Sequence, residues 1–144
     1  ELYAIDRLVC AVSPEHPLAS AKTVAFEDVL TYDLVSMDHS SSNFHFLANQ
    51  ARLTGRPMKT RVHVHNFSST IYMVQAGVGA AVVPASVVTE SERNGRVVSL
   101  AISDTWAVRH LYLVRTVASE KNELVREFAQ ILLNDPQIVA ARIQ

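Results

Sequence analysis

The sequence has little cysteine, no excess of either charge and no long unbroken apolar run, and each shortage narrows what the chain can be. Its one cysteine, Cys10, can form neither an internal disulfide nor a Cys-based zinc site. Set in the run Leu8-Val9-Cys10-Ala11-Val12, it reads as a small buried hydrophobe suited to a reducing, cytoplasmic compartment. Thirteen Lys and Arg against fourteen Asp and Glu leave a net charge of -1, without the basic field that a free-standing nucleic-acid binder carries. The most apolar stretch, Ala76 to Val88, is broken by Gly77, Gly79 and Pro84 and falls short of a bilayer span. No signal-peptide succession follows Glu1 and no Met opens the chain, so the sequence is expected to begin partway through a longer protein. A Gly-x-Ser-x-Gly nucleophile elbow is missing. Gly77-Val78-Gly79 lacks the third glycine of a dinucleotide loop and precedes its strand instead of following it.

What is present is 144 residues of which 49% are hydrophobic, enough for one ordinary domain or two small lobes sharing a core, and too apolar for disorder. Residues 7 to 12 read as a buried strand that stops at Ser13-Pro14-Glu15-His16-Pro17, where two prolines remove donors. Thr23 to Leu30 predicts a short helical turn and Leu34 to Met37 a strand. The helix that follows carries Phe44, Leu47, Ala48 and Ala51 at i, i+3, i+4 and i+7, and ends at Gly55 with Pro57 beyond it. Arg61 to His65 alternates as a strand does, and Thr70 to Ala76 predicts a second helix with Ile71 and Val74 inward. Val78 to Val83 reads as a central strand, Ala85 to Arg93 as a helix, Asn94-Gly95 as a turn, and Val97 to Ile102 and Leu111 to Val114 as strands. Leu124, Phe128, Ile131 and Leu132 form the apolar stripe of a final helix, stopped at Asn134-Asp135-Pro136. Strands alternating with helices predict an α/β fold with a mostly parallel sheet, whose ligands sit beyond the carboxyl ends of the strands.

Two clusters then stand out. Asp38-His39-Ser40-Ser41-Ser42-Asn43 and Asn66-Phe67-Ser68-Ser69 each follow a strand and open a helix, so their hydroxyls and free N–H groups suit an anion, a carboxylate above all. Plain helix capping accounts for either cluster alone. Two such openings on neighbouring strands point to one crevice holding a small acid between Ser40, Ser41, Ser42, Asn66 and Ser68. His63 and His65 have a His-x-His spacing that zinc enzymes use, with His39 and His45 as further ligands, but no Cys or spaced acid joins them, and neither a metal nor a catalytic set is assigned. Trp106 and Arg109 flank a polar turn and read as a packed corner.

Three segments in order, Asp6-Arg7-Leu8-Val9-Cys10-Ala11-Val12-Ser13-Pro14-Glu15-His16-Pro17-Leu18-Ala19, Gln75-Ala76-Gly77-Val78-Gly79-Ala80-Ala81-Val82-Val83-Pro84 and Arg109-His110-Leu111-Tyr112-Leu113-Val114, resemble the effector-binding domain of LysR-type transcriptional regulators. The resemblance spans nearly the whole chain. It implies a periplasmic-binding-protein-like (type II) α/β architecture of two lobes, the second complete and the first partial, with an inducer in the cleft between them. Residues 1–18 are then part of the first lobe with a crossover strand, 19–106 the second lobe, and 107–144 the return strand and C-terminal helix of the first. Effector-binding residues are expected at Ser40, Ser41, Ser42, Asn43, Asn66, Phe67, Ser68, Val83 and Pro84. The implied partners are a small-molecule effector and a second copy, as homodimer through Phe44 to Arg52 or as homotetramer. DNA is reached only through the family's N-terminal winged helix-turn-helix, which this sequence does not contain. No cofactor and no enzymatic activity are implied. Three consecutive serines stand where relatives often place a glycine and an arginine, leaving Arg52, Arg56 and Arg61 as candidates for the effector's counter-charge. A transporter's solute-binding protein and a small α/β hydrolase are the rival readings.

Overall fold

The computed structural model describes residues 1–142 and divides the chain into two compact units, one from Leu8 to Ala107 and one from Glu1–Arg7 together with the chain from Val108 onward. The dividing point falls inside the first strand, β1 (Leu2–Val12), so each unit holds one part of it.

In the larger unit the apolar run of β1 lies between two antiparallel neighbours, β5 (Ala81–Pro84) and β6 (Val98–Ile102), with Cys10 opposite Val82 on one side and Leu100 on the other. Alternate side chains serve two cores. Leu8, Cys10 and Val12 pack with Phe26, Leu34, Leu47, Val82 and Leu100, whereas Val9 and Ala11 pack with Val35, Val64, Ile71, Val74, Val83 and Val88. A strand covered on both faces has no polar side to alternate, which is why its sequence reads as a continuous apolar run. The short β2 (Thr23–Val24), for which the sequence carries no strand signal, adds to the parallel side of β6. β3 (Leu34–Met37) pairs in parallel with β4 (Thr60–Val64) and touches the approach to β5 through a parallel Leu34–Ala80 bridge.

The sheet is mixed, where the alternation of elements predicts a mostly parallel one. β3, β4, β5 and β6 are linked through helices α2 (Ser42–Thr54), α3 (Phe67–Gln75) and α4 (Ala85–Arg93), and helical crossovers return the chain in the same direction. β1 is joined to β2 only through the proline turn and a 3-10 turn at Pro17–Ser20, so it runs against the rest. The helical turn α1 (Phe26–Val29) plugs the first core with Phe26 and Val29, and Asp104 Oδ2 accepts the Phe26 N–H at 2.8 Å. Trp106 seals the same corner, edge-on to Phe26 and Phe46 at 5.1 and 5.4 Å.

α2 ends at Gly55 in the left-handed region (φ 74°), as its sequence punctuation predicts. α3 starts three residues ahead of the expected Thr70, because Asn66 itself is the cap. Gly79 is required by contact: a Cβ there would sit 2.6 Å from the Asp33 carbonyl oxygen.

The smaller unit pairs the first half of β1 with β7 (Val108–Tyr112), Ile5 opposite His110 and Asp6 opposite Arg109, with a bulge near Leu2. Helices α5 (Val117–Glu120), α6 (Glu123–Asn134) and α7 (Pro136–Ala141) follow. Pro136 stops α6 as expected but also starts α7, where Asp135 accepts from Gln137 and Ile138 N–H. The stripe on α6 is not a core: Ala129 and Leu133 are buried, while Leu124, Phe128 and Ile131 are 74%, 62% and 68% exposed. Arg142 clamps this unit by donating to the Tyr3 and Leu133 carbonyls at 2.8 and 2.7 Å.

Candidate functional site

Parallel strands deliver their following segments to one edge of a sheet, and β3 and β4 are parallel neighbours with Met37 opposite Val64. The openings of α2 and α3 therefore emerge side by side. The Asp38 N–H donates to the Val64 carbonyl at 2.8 Å, and Asp38 Oδ2 lies 3.8 Å from His65 Nδ1, the residue before the α3 cap. The bodies of the helices then part, α2 onto the Cys10 face and α3 onto the Ala11 face. A reversal of that kind is what opens a crevice at the carboxyl edge of an α/β sheet.

Asp38 organises the first opening. One of its oxygens accepts from the Ser40 N–H at 2.9 Å and from the Ser40 hydroxyl at 2.8 Å. Those bonds, the backbone one foremost, with help from His65 and His39, hold its carboxyl below the ordinary carboxylate value. Ser41 caps α2 by accepting the Asn43 N–H at 3.1 Å, and Asn66 caps α3 by accepting the Ser69 N–H at 2.8 Å.

The expected effector residues thus fall into three groups. Ser40, Ser41 and Asn66 are spent on local hydrogen bonds. Among the described residues the exposed Ser42 and Ser68 hydroxyls find no hydrogen-bond partner, and the buried Asn43 Nδ2 atom finds none either. The two hydroxyls, with first-turn N–H groups that the caps leave free, are the donors open to a ligand, whereas Asn43 Nδ2 has no exposed surface to offer one. Val83 is 1% exposed and packed in the second core, where it offers no side chain to a ligand, while Pro84 is half-buried at the end of β5. Phe67 is half-buried against the second core.

The arginines weighed as counter-charges lie elsewhere. Arg52 is in the last turn of α2 and Arg61 near the start of β4, the far ends of both elements; Arg56 pairs with Glu27 at 2.9 Å and Arg61 with Asp33 at 3.7 Å. The histidines form a ring cluster: His39 stacks on His63 at 4.2 Å, both meet the Phe44 edge, and His63 Nδ1 is 3.0 Å from the Met37 carbonyl oxygen. Among the described residues no group of three or more His, Cys, Asp or Glu is placed to hold a metal. Asp38 and His65 tie the openings together; the sequence points to Asp38 as part of the capping cluster and to His65 through its His-x-His spacing, but not to their pairing. In the smaller unit, Arg109 pairs with Asp6 across the strands and keeps its Nε buried and unpartnered.

Comparison with known proteins identifies the family. The family model of the LysR substrate binding domain matches residues 1–137. The transcriptional activator protein LysR of Escherichia coli is 31% identical over 134 residues, covering 90% of this chain and 40% of that protein. The chain spans about two fifths of the length of the curated relatives it matches. In fold it is similar to the Synechocystis CcmR regulatory domain in complex with 2-PG (TM-score 0.81, 14% identity, 92% of this chain and 64% of that one). It is also similar to the effector binding domain of QuiR in complex with shikimate (TM-score 0.70, 16% identity, 92% and 62%). Those domains have the periplasmic-binding-protein-like type II fold expected from the sequence. The chain belongs to the LysR family of transcriptional regulators and carries the sequence of their effector-binding domain.

Proposed function

We propose that this chain is the sensing part of a cytoplasmic bacterial regulator, and that it recognises a small carboxylated molecule at the paired openings of α2 and α3. The observation that carries the reading is the parallel register of β3 and β4, which brings the exposed Ser42 and Ser68 hydroxyls to one edge. Two helix N-termini and neutral hydroxyls bind a carboxylate without a facing arginine, because the backbone dipoles supply the positive potential. No bond-making residues are needed, and the role is binding, not catalysis. Bound ligand biases the association of copies in a homodimer or homotetramer, in part through α2 from Phe44 to Arg52, and so shifts DNA binding by a helix-turn-helix elsewhere in the polypeptide. The solved domains bound to shikimate and 2-PG support a small effector of this kind.

The test is calorimetry of the chain against a panel of small carboxylates that includes shikimate, repeated with Ser42→Ala and Ser68→Ala. A hydrogen bond to a charged group is worth about 1.5–3 kcal/mol, so each substitution is expected to weaken a bound acid at least about tenfold. Equal affinity for acid and amide forms of the ligand, or unchanged affinity in both variants, would remove the reading.

A further inference from the structure

We propose a second small-molecule site, in the groove between α3 and α4, built for a zwitterion with an apolar side chain: an α-amino acid of the phenylalanine or leucine type. The groove has a volume of about 360 Å³, within the range of small-ligand sites. Its lining is mixed: Phe67, Ile71, Val87 and the ring of Tyr72, which is 68% exposed, give it an apolar strip, and Ser68, Gln75, Ser91 and Asn94 set polar groups beside that strip. Gln75 Nε2 donates to Ser91 Oγ at 3.0 Å, pinning the two helices together and leaving the amide oxygen free to accept.

Charge decides the ligand class. Glu90 and Arg96 both line the groove, yet they form no ion pair with each other or with any other described residue. Arg96 is brought there by the end of α4: Gly95 takes the left-handed conformation (φ 67°) and the Arg96 N–H donates back to the Ser91 carbonyl at 2.9 Å. A plain anion would meet the Glu90 carboxylate and a plain amine the Arg96 guanidinium, whereas a zwitterion satisfies both and lays its side chain on the apolar strip. The groove shares Phe67 and Ser68 with the α3 opening, whereas Tyr72, Glu90, Ser91 and Arg96, which give it its charges and its ring, belong to none of the residues assigned to the carboxylate site.

Amide-resolved NMR titration of the intact chain, with L-phenylalanine as probe beside 3-phenylpropionate and phenethylamine, tests this. The expected result is saturable shifts at Tyr72, Ser91 and Arg96 with L-phenylalanine, and binding of the other two weaker by about tenfold for each lost charged partner. Arg96→Gln should lower phenylalanine to the affinity of phenethylamine, and Glu90→Gln to that of 3-phenylpropionate. Both side chains are exposed, so the variants keep the wild-type spectrum. Equal binding of all three compounds, no saturable shift at millimolar concentration, or shifts confined to Ser42 and Asn66 would each overturn the proposal; the last would assign the amino acid to the helix openings.

Discussion

Cys10 illustrates how position overrides the chemistry of a side chain. It is 0% exposed, and burial pushes its thiol up to about 12, so the reactive thiolate is absent near neutral pH. A thiol reagent is expected to label the unfolded chain readily and the native chain only at the rate of unfolding; fast native labelling, read by mass spectrometry, would contradict the packing described. His16 responds to pH instead. Its Nδ1 accepts the Leu18 N–H at 3.1 Å and its ring meets Tyr32 at 4.8 Å, and partial burial lowers its pKa from 6.5. The folded form therefore prefers the neutral ring. Its contribution is complete above the unfolded value and is lost as pH falls below about 6.5 toward the lowered folded one. His16→Asn, which keeps an acceptor that does not titrate, should flatten the dependence of denaturation midpoint on pH in that window. Gly79 offers a steric case. A methyl group at 2.6 Å from the Asp33 carbonyl forces β3 and the approach to β5 apart, and Gly79→Ala is expected to cost about 1–3 kcal/mol in chemical denaturation.

At the scale of elements, the two helix openings divide capping and unengaged hydroxyls between different residues. Ser41 and Asn66 belong to the helices: replacing either by Ala removes a cap and should lower stability by about 1 kcal/mol. Ser42 and Ser68 have no such duty, so their alanine variants should keep the wild-type denaturation midpoint while losing ligand affinity, a separation that calorimetry and denaturation together can read. Asp38 joins the openings through Ser40, Val64 and His65. Since its carboxyl is held low, the ionised form that receives the Ser40 bonds persists as pH falls, and the arrangement is lost only through that lowered value. The capping clusters were legible in the sequence because Ser and Asn act on neighbours within three residues. The Asp38–His65 link was not, since it depends on β3 and β4 lying side by side, which no local spacing encodes.

For the molecule as a whole, the face formed by Leu124, Phe128 and Ile131 on α6 is the largest departure from the sequence pattern. Periodicity identified a helix with an apolar stripe, and the helix formed, with Ala129 and Leu133 on its buried side. Which flank of that helix packs is set by the segments that fold against it, and periodicity alone does not name them. Replacing Phe128 and Ile131 by Gln removes little buried contact, so stability should change by no more than about 0.5 kcal/mol, while sedimentation should show less self-association if exposed apolar area drives it. A drop in stability comparable to a core substitution would mean that these side chains are packed in solution.

The sequence by itself determined most of the longer strands and helices, many of their caps and breakers, the burial of β1 and the inert setting of Cys10, because these follow from propensity, periodicity and short-range hydrogen bonding, whereas the short β2 and α7 left no such signal. Tertiary structure decided the reversed direction of β1, the edge that the α2 and α3 openings share, the retreat of Val83 into the core and the unpaired Glu90 and Arg96 along one groove. Each of these is fixed by which distant segments become neighbours, and that choice is made by the packing of the whole chain.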